Sequence, residues 1–140
     1  MNAAGTLFAL SGVIALVVFA TRRMIAKKRE RFAGRPNVSP EELQRQFDTT
    51  GLSPIEFALF LRQITEATDI PQGKLRPSDR FERELAPVRG WEYDDGLNLL
   101  PEMLQEKFGG ECRDFDLKRN PTLGELLSAV ARVRSGVQRK

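Results

Sequence analysis

The chain of 140 residues contains no histidine, one cysteine, one tryptophan and one tyrosine. Without histidine it lacks both the commonest general base and the commonest zinc ligand. Ser-His-Asp and Cys₂His₂ sites are therefore excluded by inventory. The single Cys112 also excludes Cys₄ sites and any intrachain disulfide, and it reads as a small apolar side chain of the core. There is no glycine-rich phosphate loop, and the carboxylates, lysines, serines and tyrosine form no recognisable catalytic set. The expectation is a protein that is not an enzyme, with no cofactor, no metal and no small-molecule substrate. Strand-like alternation of useful length is also missing, and the apolar positions recur at helical spacing instead, which points to an all-α fold.

A second absence is more informative. From Ala3 to Thr21 no residue is charged. As a helix this run of about 19 residues extends about 28 Å, close to the hydrocarbon thickness of a bilayer. Leu7, Phe8, Leu10, Val13, Ile14, Leu16, Val17, Val18 and Phe19 supply the apolar surface. Directly behind it come Arg22, Arg23, Lys27, Lys28, Arg29, Arg31 and Arg35, against the single acid Glu30. By the positive-inside rule the expected topology is a single pass of the cell (inner) membrane, with the N-terminus outside and the C-terminal part cytoplasmic. Arg22, Arg23, Lys27, Lys28, Arg29 and Arg31 form a membrane collar, worth about 1 kcal/mol per side chain against anionic headgroups. A cleaved signal peptide is the rival reading, but it would carry its basic residues on the other flank.

The charge balance hides a division. The formal net charge is +3 and the pI about 9.3, yet residues 22–35 carry +6 and residues 36–140 carry −3. The downstream domain is mildly acidic, which argues against nucleic acid as a partner. The expected organisation is a transmembrane helix over 3–21, a basic juxtamembrane helix and linker over 22–36, and a helical domain over 37–140 with its core at 53–135. Gly34-Arg35-Pro36-Asn37 marks the linker.

Within the domain, helix starts are written in capping residues. Ser39-Pro40-Glu41-Glu42 and Ser53-Pro54-Ile55-Glu56 both place Ser at the cap, Pro first inside and Glu three positions on, and Thr122-Leu123-Gly124-Glu125 repeats the box. The first of these helices ends near Phe47 and the second near Asp69, its broad stripe of Phe57, Phe60, Leu61, Ile64 and Ala67 reading as a central core helix. A long loop follows to about Gly96, pinned by Leu75, Phe81, Leu85 and Val88. Leu97, Leu100, Met103, Leu104 and Phe108 form the next face, and Pro101 within it calls for either a late start, at Asn98, which would put the proline in the first turn where its missing N–H costs nothing, or a kink. The last helix is expected to end at Gly136.

The run Phe81-Glu82-Arg83-Glu84-Leu85, the helix Leu100–Phe108, the short Phe115-Asp116-Leu117 and the opening Thr122-Leu123-Gly124-Glu125-Leu126 occur in an order that resembles an acyl carrier domain, covering Ser53 to Val133. The resemblance implies a small acyl-carrier-like helical bundle. Acyl carriers attach phosphopantetheine to a serine at the start of their second core helix, but the matching position here is about Asp94, and no serine lies between Asp79 and Leu127. The attachment residue is not carried over, and Ser78 is the only serine nearby. An uncharacterised set of acyl-carrier-like bacterial proteins has an Asp-Asp pair there, and Tyr93-Asp94-Asp95-Gly96 is similar to it. Acyl carriers meet basic partner surfaces through acids on this helix, so the resemblance makes Glu102 and Glu106 partner-binding candidates, with Trp91, Tyr93, Asp94 and Asp95 beside them. The functional expectation is a membrane-anchored, non-catalytic interaction module whose partners are the lipid bilayer and another protein. The alternative is a group carrier modified at a non-standard residue.

Overall fold

The computed structural model describes residues 3–86, 96–109, 112 and 119–138. Among them the fold is all-helical, as the spacing predicts: α1 (Ala3–Ala33), α2 (Pro40–Gln46), α3 (Pro54–Thr68), α4 (Gly96–Phe108) and α5 (Leu123–Gln138), with one 3₁₀ turn at Gln72–Lys74. Isolated pairing of Arg80 with Thr122 is the one β-type contact among the described residues.

α1 has two characters. Over its first part, large apolar side chains lie open on every side of the helix, among them Phe8, Leu10, Val13, Ile14, Leu16, Val17, Val18 and Phe19. A helix apolar all round has no face reserved for its own domain. This part is long and apolar enough to cross a membrane. Two of its hydroxyls turn back onto the helix: Ser11 Oγ donates to Phe8 O (2.9 Å) and Thr21 Oγ1 to Val17 O (2.8 Å), which is what lipid demands of a hydroxyl. Toward its other end α1 joins the domain. Met24 and Ile25 are half-buried, and Lys28 and Phe32 are each 2% exposed.

The caps form as written. Ser39 Oγ accepts from Glu42 N, Ser53 and Glu56 close a reciprocal box, and so do Thr122 and Glu125. α2 ends at Phe47, whose ring tilts against Phe57 at 5.5 Å. α3 ends in a left-handed Asp69. Phe60, Leu61, Ile64, Leu75, Leu85, Leu100, Leu104, Leu123, Leu126 and Leu127 form the centre of the core. Val88 lies outside the described residues.

Two boundaries differ from expectation. α4 begins at Gly96, not Asn98, so Pro101 sits inside the helix and the Leu97 carbonyl loses its intrahelical donor. A Cβ on Gly96 would overlap the carbonyl of Ala67, so only glycine lets α4 approach α3 this closely. α5 runs through Gly136 to Gln138. An exposed glycine inside a helix costs about 1 kcal/mol, too little to end a helix by itself.

Candidate functional site: the basic joint and the outer face of α4

The basic segment divides in the structure. Arg22, Arg23, Lys27 and Arg29 are exposed. Lys28, which is buried, and Arg31, itself exposed, are grouped with them by sequence but bond to the domain. Lys28 Nζ donates to Thr68 O at the end of α3 (3.3 Å), and Arg31 Nη1 donates to Ala86 O (2.8 Å). Lys28 can do this because its methylene stem accepts burial while its ammonium finds a carbonyl.

Arg35 is the pivot just past α1. Its Nη1 donates to both carboxylate oxygens of Asp79 and to Lys74 O, each at 2.8 Å, and its guanidinium lies 4.9 Å from the Phe32 ring centroid. Asp79 is 1% exposed and also accepts from Arg76 N (2.7 Å). Burial pushes its carboxyl above the ordinary carboxylate range, against the pull of Arg35 and the Arg76 N–H. Lys74 Nζ returns a bond to Arg35 O, Arg76 Nη2 donates to Pro36 O (2.7 Å), and Val38 N donates to Gly73 O (3.0 Å). A Cβ on Gly73 would overlap Asn37 Oδ1. The Gly34–Asn37 break is present, but it is pinned on both sides; the segment read as a linker is a joint.

The outer side of α4 carries the sequence candidates that the structure describes. Glu102 and Glu106 are exposed, and Leu99, which sequence reasoning passed over, is 50% exposed on the same stripe. The opposite side, Leu97, Leu100, Leu104 and Phe108, is core. Lys107 Nζ pairs with Glu106 Oε1 at 3.1 Å. Trp91, Tyr93, Asp94 and Asp95 lie outside the described residues. Among the described residues no three potential metal ligands of the Cys, Asp or Glu type come together.

Three other features complete the inventory. Ser78 is exposed, but Gly124 N donates to Pro77 O (2.9 Å) and Leu123 N to Asp79 O (2.8 Å), which puts Ser78 at the start of α5, not of α4. Cys112 is 4% exposed, and burial pushes its thiol pKa up, away from the reactive thiolate. A shallow cleft of about 500 Å³ lies between the α2–α3 turn and α5, lined by Asp48, Thr50, Gly51, Ser128, Arg132 and Ser135. No sequence signal marked it beyond the Thr49-Thr50-Gly51 turn, where Gly51 adopts φ 89°. No protein-family model, no curated protein and no solved structure matches the chain.

Proposed function

We propose that this protein is a single-pass membrane protein that holds an acyl-carrier-like helical domain at the cytoplasmic face as a non-catalytic docking module for another protein. The observation that carries the reading is the stripe on α4: an open Leu99 flanked by Glu102 and Glu106 on a helix whose other side is fully committed to the core. An apolar side chain beside two acids, one of them paired with Lys107, suits a partner surface of basic residues around an apolar recess. The carrier-like order of helices, without a serine at the head of α4, supports a module that kept the scaffold and lost the attachment chemistry.

Photo-crosslinking from position 99 or 102 in intact membranes tests this. Capture of one defined protein, abolished by Glu102→Lys together with Glu106→Lys, supports the reading; no specific adduct contradicts it. Intact mass after co-expression with a phosphopantetheinyl transferase tests the absent attachment. The expected mass is unchanged, and a gain of one phosphopantetheine group would establish a carrier instead.

A further inference from the structure

We infer that α1 does not tether the domain loosely but fixes its orientation, holding the α3 C-terminal end and the α4 start against an anionic bilayer surface and the opposite end of α3 away from it. The inference rests on the membrane-spanning reading of α1 and extends it.

Lys28 lies seven residues beyond Thr21, the last residue of the uncharged run, or about 10 Å along the helix. Thr68, at the end of α3, bonds to Lys28 at that level. α3 has 15 residues and is therefore about 22 Å long. Its body cannot extend toward the bilayer from Thr68 without entering it, and its exposed Arg62 and Glu66 forbid that. Later contacts agree. Past α1 the chain meets Lys74 and Asp79 through Arg35, then Gly73 through Val38, and reaches the first turn of α3 only at Phe47. Gly96 packs on Ala67, so α4 starts at the same near end. Arg134 bonds to Glu56 (2.7 Å), placing the last turns of α5 at the far end.

A joint of this kind has few free torsions. α1 is one helix from Ala3 to Ala33, so no flexible segment separates the span from Lys28 and Phe32. Beyond it, Arg31, Arg35, Lys74 and Arg76 bond across the two sides. The exposed cations Arg22, Arg23 and Lys27 lie between the span and Lys28, and Arg29 directly past it, at the height of the headgroups, and their charge selects an anionic surface.

The test uses full-length protein in phosphatidylcholine–phosphatidylglycerol vesicles, with Cys112→Ser and one nitroxide-labelled cysteine at Glu66, Ile55 or Phe19. Positions 55 and 66 are both exposed and lie on one side of α3, about 16 Å apart along its axis. Relaxation by nickel chelated to lipid headgroups reports height above the bilayer. The expected result is a several-fold stronger effect at 66 than at 55, narrowed when Phe32→Ala is combined with Arg31→Ala. Equal effects at the two positions, or a reversed order, would overturn the inference. The label at 19 separates this from failure of the anchor. Lipid burial at 19 with equal effects at 55 and 66 defeats only the fixed orientation, whereas no lipid contact at 19 defeats the membrane reading itself.

Discussion

At the scale of single residues, Asp79 has the most at stake. It is nearly inaccessible and gathers two donors, Arg35 and the Arg76 amide. Asp79→Ala leaves Arg35 partly buried without its counter-charge, its Nη1 keeping only the Lys74 carbonyl. Removing one partner of a buried pair costs about 3–5 kcal/mol, and the quarter exposure of the Arg35 side chain puts the expected loss near the lower figure. Asp79→Asn keeps an acceptor and should lose less; thermal unfolding in detergent, followed by circular dichroism, measures both. Gly96→Ala should destabilise by about 1–3 kcal/mol in the same assay, because a methyl group there meets the backbone of Ala67 rather than a side chain that can rotate. The carboxylates that serve caps and turns set the acid limb of stability. Glu56, Glu84 and Glu125 are each held below the ordinary 4.5, chiefly by backbone N–H donors at Ser53, Arg80 and Thr122. Their contribution is present above 4.5 and is lost as pH falls through the lowered folded values. Asp79 runs the other way, its raised carboxyl favouring the fold at low pH and less as pH rises through its folded value. Asp48 is lowered as well, by the hydroxyl and amide of Thr50. With four lowered groups against one raised, unfolding midpoints measured from about pH 6 to 3 should fall, and Glu56→Gln should flatten the decline.

At the scale of elements, what could be read from sequence and what could not differ in kind. The starts of α2, α3 and α5 were legible because a cap is a local exchange of hydrogen bonds between a Ser or Thr and an acid three residues on. The core stripe of α3 was legible for the same local reason, periodicity. The close contact of α4 with α3 was not, because it depends on how near Gly96 can approach Ala67, 29 positions earlier in the chain. The joint was least legible. Its donors are long basic side chains, and its acceptors at Thr68, Lys74 and Ala86 are backbone carbonyls, which leave no complementary residue type to find; the side-chain acceptor, Asp79, lies 44 positions from Arg35. Leu99 was passed over because it falls off the stripe of Leu97, Leu100, Leu104 and Phe108, and a single leucine outside a stripe carries no signal of its own. α4 also holds an element-scale prediction. Pro101 deprives the Leu97 carbonyl of its intrahelical partner, so Pro101→Ala should raise stability by up to about 3 kcal/mol, read as a higher melting temperature. A lower melting temperature would mean that the ring's packing outweighs the restored bond.

At the scale of the whole molecule, one helix does two jobs in succession. Its first part offers apolar surface on every side, and its last turns insert Lys28 and Phe32 among the residues of the domain. Burying Phe32 is worth about 1.5–3 kcal/mol, so the joint adds to the stability of the domain as well as fixing its direction. A break there should show at this scale: Phe32→Ala is expected to loosen the domain from α1 and expose Lys28, read as faster amide exchange at residues 28–38 with α5 less affected.

The most direct test of the central claim is the fate and orientation of the full-length protein in cells. The account predicts that it stays with the membrane pellet through alkaline carbonate extraction and that a reporter fused after Lys140 is active in the cytoplasm. Release into the supernatant, or a reporter active only on the outer side, would contradict it.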